Sequence, residues 1–150
     1  MNRQLEPHLS LVIPLYNEAE NLPVLAAEIR QALEPTARSW ECLFVDDGST
    51  DGSFEVLAAL AARDPTIRIL RHRRNAGQSA ALAAGFAAAR GVIVVTLDAD
   101  LQNDPAWAKR LPRATATPSP GSASAARTVG CGGSRRGWRT QFATGPPTRM

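Results

Sequence analysis

Four short apolar runs alternate with three segments in which apolar residues recur at helical spacing. The runs cover residues 10–14, 42–45, 67–70 and 92–97, and the helical segments lie between them. Strands that alternate with helices through short links form parallel sheets with right-handed crossovers. This order predicts an α/β fold, a Rossmann-like parallel sheet with helices on both faces.

The local signals for the three helices differ. Asn17 is a candidate helix cap, with Glu20 three residues later in a capping-box arrangement, and Pro35 follows the last apolar residue of the first helix. The second helix follows the turn at 46–52. The third, over about 75–89, is mostly alanine and ends at Gly91. Such small side chains would let it pack close to the sheet.

Polar residues follow three of the four predicted strands. In an open parallel sheet, ligands bind beyond the carboxyl ends of the strands. Like charges gathered there would repel each other, and a divalent cation held by one or two carboxylates and substrate phosphates would relieve the repulsion. We therefore expect five carboxylates to converge at this edge: Glu18, Asp46, Asp47, Asp98 and Asp100.

Each polar cluster also has a simpler interpretation. Asn17 can be only a helix cap, the Asp47-Gly48 pair only a turn, and the Asp-x-Asp sequence only a solvated loop. His8 and His72 have no partners at metal-ligand spacing, so we expect both at the surface. A dinucleotide oxidoreductase needs a glycine-rich turn after its first strand, which is absent here. A receiver domain would carry its acidic pair after the first strand and not the second.

Charge divides the chain near residue 105. Residues 1–104 contain all 14 acidic residues and carry a net charge of −5, whereas the remaining residues are basic only and carry +8. The basic balance belongs to the tail, so it does not predict nucleic-acid binding by the folded part. Because the tail lacks acids and apolar periodicity, we expect a domain at 1–105 and a disordered basic segment at 106–150.

The cysteine content and the hydropathy of the chain indicate the cellular compartment in which it is expected. Cys42 lies in an apolar run and is expected to be a small buried residue, which suits a reducing environment. No apolar run approaches the ~20 residues that span a bilayer, and we see no signal peptide near the start. We expect a cytoplasmic location; peripheral attachment at the inner face of the membrane stays open.

Four ordered motifs together resemble the family 2 glycosyltransferases. They are LVIPLYNE at 11–18, VDDGSTD at 45–51, NAGQ at 75–78 and LDADLQNDP at 97–105. Among members of the family, the polyprenyl- and dolichol-phosphate sugar transferases are the most similar. The resemblance covers about the first 105 residues and implies the N-terminal half of a GT-A type domain.

The resemblance also implies roles at matching positions. Nucleotide-contacting residues would be Pro14, Tyr16, Glu18, Val45, Asp47 and Ala99. Asp98 and Asp100 would hold Mg²⁺ or Mn²⁺, and Gln102 would be a further ligand or a diphosphate contact. No catalytic residue is identified in this chain. The implied reaction is inverting, metal-dependent transfer of a sugar from a nucleoside diphosphate sugar to an acceptor, expected to be a polyprenyl phosphate.

The sequence after the Asp-x-Asp motif does not continue the resemblance. Shifting the reading frame back by one base gives a codon-compatible sequence of mixed charge and helical spacing over 128–145, so we expect a frame change in this region. This chain would then be an inactive, incomplete transferase. The alternative is a non-catalytic nucleotide-binding fragment.

Overall fold

The computed structural model describes residues 6–102 and the backbone of a strand at 127–131. Within those residues the strands are β1 (Leu9–Leu15), β2 (Trp40–Asp46), β3 (Ile67–Arg71), β4 (Ile93–Leu97) and β5 (Arg127–Cys131). The α-helices are α1 (Leu22–Leu33), α2 (Ser53–Arg63) and α3 (Gln78–Ala88), and a 3₁₀ turn at Glu34–Thr36 follows α1.

All pairings in the sheet are parallel, and the strand order is β3-β2-β1-β4-β5. β1 is central, with Leu11 opposite Cys42 of β2 and Val95 of β4. All seven of its residues are buried and all but Ser10 are apolar, so the strand does not alternate between apolar and polar residues. The predicted α/β parallel sheet is confirmed.

Helices cover both faces of the sheet, as predicted. One apolar cluster joins Leu11 and Phe44 to the buried sides of α1 and α2. The other lies under α3 and includes Val12, Val45 and Ala81. A Cβ on Gly85 of α3 would lie 2.3 Å from Val12 Cγ1. The small residues of α3 therefore do allow the close packing that the sequence predicts, and Cys42 is buried in the first cluster.

The predicted start of the first helix was wrong. Asn17 has φ of 56° and does not cap a helix, because α1 begins five residues later at Leu22 with Asn21 at the N-cap. Pro23 fits the first turn, where a missing backbone N–H costs nothing. A proline placed there is the stronger start signal, and Asn17 serves a tertiary contact instead.

Residues 127–131 lie within the segment 106–150 for which the sequence predicts disorder. Those residues form β5, which continues the parallel sheet beside β4. An edge strand offers unpaired backbone groups that another segment can satisfy with its own backbone, so pairing does not need an apolar period. The rest of the predicted tail lies outside the described residues. Among the described helices, none is long and apolar enough to cross a membrane.

Candidate donor-binding site

A cavity of about 320 Å³ opens at the carboxyl end of the sheet. It is bounded by the loops after β1, β2 and β4 and by the start of α3. Its lining residues are Pro14, Leu15, Tyr16, Glu18, Asp47, Asn75, Gly77, Gln78, Ala81, Asp98, Ala99 and Asp100.

The position of this cavity follows from the strand order. The chain runs from β1 outward to β2 and β3, and then returns to the other side of β1 for β4. The loops after β1 and β4 therefore diverge and leave a crevice between them, which is where open α/β sheets bind ligands. The volume lies at the lower end of the range for small-molecule sites.

Asp98 and Asp100 form the acidic side of the cavity. Burial raises the pKa of Asp98, and the negative charge of Asp100 raises it further. Gln78 Nε2 lies 3.4 Å from Asp98 Oδ1, and Asp100 Oδ1 accepts a hydrogen bond from the backbone N–H of Gln102 at 3.1 Å. The two carboxylates thus share one edge of the cavity, and the charge of Asp100 disfavours that of Asp98.

The loop after β1 is fastened to the loop after β2. The backbone N–H groups of Asn17 and Glu18 donate to Ser49 Oγ at 2.9 Å and Ser53 Oγ at 3.0 Å. Asn17 Oδ1 accepts from the N–H of Thr50 at 2.8 Å, which explains the left-handed backbone at Asn17. These hydrogen bonds between the two loops hold Tyr16, which is 44% exposed, at the cavity rim.

Asp47 is buried and receives three hydrogen bonds. Its Oδ1 accepts from the N–H of Ala76 at 2.9 Å and lies 2.7 Å from His72 Nδ1, and its Oδ2 accepts from the N–H of Gly77 at 2.8 Å. Burial alone would raise the pKa of Asp47, but these donors outweigh it and hold the pKa below its usual value. His72 was expected to be a surface residue, but its side chain is only 24% exposed and its ring contacts Asp47.

Most of the predicted site residues meet at the cavity, but three residues do not. Val45 packs beneath α3, where its Cγ2 would lie 3.2 Å from a Cβ on Gly85. Asp46 is fully buried beside the cavity, with its Oδ1 accepting from the N–H of Ser49, so five carboxylates do not converge. Gln102 is exposed and does not line the cavity.

The start of α3, which carries the NAGQ motif, was not among the predicted site residues. Asn75, Gly77, Gln78 and Ala81 all line the cavity. Its position in the sequence could have indicated a site role, because the motif follows a parallel strand, as the three acidic motifs do. The motif lacks carboxylates, so its charge gives no sign of a ligand site.

The carboxylate oxygens at this edge suit a cation whose remaining coordination positions are filled by substrate. Within the described residues there is no group of three or more His, Cys, Asp or Glu side chains that could hold a metal ion. Mg²⁺ is typically bound by one or two carboxylates together with substrate phosphates and water. Asp98 and Asp100, two like-charged carboxylates on the same edge of the cavity, fit that arrangement.

The glycosyl transferase family 2 model matches residues 10–150. The chain belongs to this family. It is 48% identical over 106 residues to an undecaprenyl-phosphate 4-deoxy-4-formamido-L-arabinose transferase of Pectobacterium carotovorum, covering 69% of this chain and 32% of that one. The corresponding Salmonella choleraesuis protein is 47% identical over 105 residues, covering the same shares. The chain thus spans about a third of the length of these relatives.

Two solved structures share the fold. A mannosyltransferase from Pyrobaculum calidifontis, in complex with GDP-Man and Mn²⁺, superposes with a TM-score of 0.57 at 28% identity, over 65% of this chain and 28% of that one. TarS of S. aureus has a TM-score of 0.54 at 19% identity, over 68% and 30% of the two chains. The described sheet therefore has the fold of the GT-A glycosyltransferases.

Proposed function

We propose that the cavity binds a nucleoside diphosphate sugar together with Mg²⁺ or Mn²⁺. The single observation that carries this is the pair Asp98 and Asp100 at the crevice between β1 and β4. Asp98 and Asp100 would hold the metal at this acidic edge, where the pyrophosphate would also bind. When bound, such an ion stabilises the charge that develops on a diphosphate leaving group.

The nucleoside would occupy the part of the cavity bounded by β1 and β2. Tyr16 offers an exposed aromatic ring, and Pro14 and Glu18 lie on the same wall. An ionised carboxylate has about four acceptor sites. Asp47 uses three of them within the fold, so Oδ2 retains one that can accept from a base N–H.

We further propose that the complete protein transfers the sugar to a polyprenyl phosphate at a membrane surface. The support is the similarity to relatives named as undecaprenyl-phosphate transferases, and the neighbour that binds GDP-Man with Mn²⁺. In an inverting displacement, the acceptor phosphate oxygen bonds to the sugar carbon as the bond to the diphosphate breaks. That oxygen is already anionic near neutral pH, so a strong general base is not required.

The experiment is calorimetry of the full chain with UDP and with GDP, in Mn²⁺ and in EDTA. We expect one nucleotide to bind in Mn²⁺ and to lose at least tenfold in affinity in EDTA. The double variant Asp98→Asn, Asp100→Asn should show the same loss, because both changes keep side-chain volume and remove charge. Glu55→Gln, an exposed change on α2, serves as the charge control.

Three results would contradict this assignment. Equal affinity in Mn²⁺ and EDTA would remove the metal from the proposal. Binding that survives in the double Asn variant would remove the two carboxylates as its ligands. Loss of binding in the Glu55→Gln control would mean that general charge, and not this site, controls affinity.

A second candidate is nucleotide binding without transfer by these 150 residues. The observation that favours it is that the chain spans about a third of its relatives' length. Positioning of two substrates can supply roughly 7–11 kcal/mol of a barrier, so a missing acceptor surface would abolish turnover.

A transfer assay with labelled nucleotide sugars and polyprenyl phosphate tests this second candidate, with a version of the chain in which the reading frame is restored run beside it. Resequencing the codons for 104–113 tests the frame change.

A further inference from the structure

His72 lies directly after β3 and connects to both aspartates of the second acidic motif. Its backbone N–H donates to the carbonyl oxygen of Asp46 at 2.8 Å, which extends the pairing of β2 and β3. Its ring Nδ1 lies 2.7 Å from Asp47 Oδ1. The side chain is 24% exposed, so this contact is largely shielded from water.

The proton in this contact can be assigned from the partner. An ionised carboxylate only accepts hydrogen bonds. The pKa of Asp47 is below its usual value despite burial, so the carboxylate is ionised near neutral pH. His72 Nδ1 therefore carries a hydrogen and donates a hydrogen bond to Asp47 Oδ1.

Asp47 fastens both ends of the loop over residues 72–77. His72 at its start and Ala76 and Gly77 at its end all donate to this one carboxylate. Between those ends the loop lies on Gly48, where an added Cβ would come within 2.6 Å of the backbone carbon of Arg74. The loop then enters α3, whose first residues line the cavity.

We propose that His72 is a positioning residue that fixes the orientation of the Asp47 carboxylate, and through it the start of α3 at the nucleotide site. The χ2 torsion of aspartate is broad, so hydrogen-bond donors must set the orientation of its carboxylate. Two of the three donors are the backbone amides of Ala76 and Gly77, which belong to the loop end whose position depends on Asp47. His72 is the third, and it belongs to the end of β3. The role at the nucleotide site rests on the proposed function.

The direct test is amide hydrogen exchange in the ¹⁵N-labelled full chain. In His72→Ala, we expect the amides of Ala76 and Gly77 to exchange about tenfold faster, the size expected for losing one hydrogen bond to a charged group. His72→Asn should restore most of the protection, because its amide nitrogen can donate from a similar position. His8→Ala, which removes the other histidine, should leave both amides unchanged.

The reference amide is that of Gly91, which donates to Ser10 Oγ at the opposite end of the sheet. Faster exchange at Ala76 and Gly77 with Gly91 unchanged supports the proposal. Equal acceleration at all three amides would assign His72 only a general role in stability and overturn it. Unchanged exchange at Ala76 and Gly77, or failure of His72→Asn to restore protection, would also overturn it.

Calorimetry with UDP and GDP in Mn²⁺ then links the loop to the site. We expect His72→Ala to weaken binding about tenfold and His72→Asn to recover it. Unchanged binding in His72→Ala would overturn the link to the nucleotide site. If the wild-type chain binds neither nucleotide, the proposed function fails, while the exchange measurement still decides whether His72 positions the loop.

Discussion

At the amino end of the sheet, Glu41 is 5% exposed and surrounded by donors. Ser10 Oγ donates to it at 2.6 Å, the N–H of Arg90 at 2.9 Å and Arg68 Nη1 at 2.8 Å. Burial would raise the pKa of Glu41, but these contacts lower it overall. At the carboxyl end, both burial and the charge of Asp100 raise the pKa of Asp98.

The difference shows which carboxylate the fold itself requires. The charge of Glu41 carries no net free-energy penalty, because the hydrogen-bond donors and Arg68 around it compensate for burial. The surroundings of Asp98 disfavour its charge, and a carboxylate kept in such a place at a cavity is a candidate for function. We therefore expect Glu41 to stabilise the fold and Asp98 to serve ligand binding.

The largest expected effect is at the amino end. Glu41→Ala leaves Arg68 and the donors from Ser10 and Arg90 without their carboxylate, and should lower the free energy of unfolding by about 4 kcal/mol. Urea denaturation measures this. Glu55→Ala, on the exposed side of α2, should change stability by less than about 0.5 kcal/mol. A loss below about 1 kcal/mol for Glu41→Ala would remove the structural role assigned to the cluster.

The next effect concerns the loop beside the cavity. Gly48→Ala should cost about 3 kcal/mol, because alanine disfavours φ of 77° and its Cβ would overlap the backbone of Arg74. Gly52→Ala is the matched control, with φ of 89° but only a flexible Glu55 atom at 3.9 Å, and should cost about 1 kcal/mol. Equal losses in urea denaturation would mean that the loop does not press on Gly48.

The pH dependence of the Glu41 cluster has a defined sign. A carboxyl group whose pKa is lower in the folded state stabilises the fold above its unfolded pKa, and that contribution is lost as pH falls through the folded pKa. The stability difference between wild type and Glu41→Gln should therefore be largest near pH 7 and shrink below pH 4.5, by at most about 1.4 kcal/mol per pH unit. A difference that stays constant from pH 7 to pH 4 would contradict this.

The smallest expected effect is at the carboxyl end. Asp98→Asn removes a charge that burial and Asp100 disfavour, so the free energy of unfolding should stay within about 0.5 kcal/mol of wild type or rise. Urea denaturation without metal measures it. A loss approaching that of Glu41→Ala would show that both ends of the sheet use their carboxylates in the same way.

The fold and the acidic side of the cavity were predictable from local sequence. Apolar runs and helical periods fix the order of elements, and that order makes the strands parallel. Parallel strands share one carboxyl edge, so motifs far apart in sequence must meet there. This is why Tyr16, Asp47 and Asp98 were expected together and do line one cavity.

The tertiary structure decided how the buried polar groups are paired. Asn17 contacts Thr50, Asp47 contacts His72 and the start of α3, and Val45 turns toward α3 instead of the cavity. These contacts join residues about 25 to 40 positions apart in the sequence. They depend on side-chain direction and on the path of the loops, which the periodicity of apolar residues does not encode. The sequence by itself determined which edge of the sheet carries the site. Only the packed loops determined which of its polar residues face the cavity and which hold the fold, because a buried polar group must find its partners wherever the chain brings them.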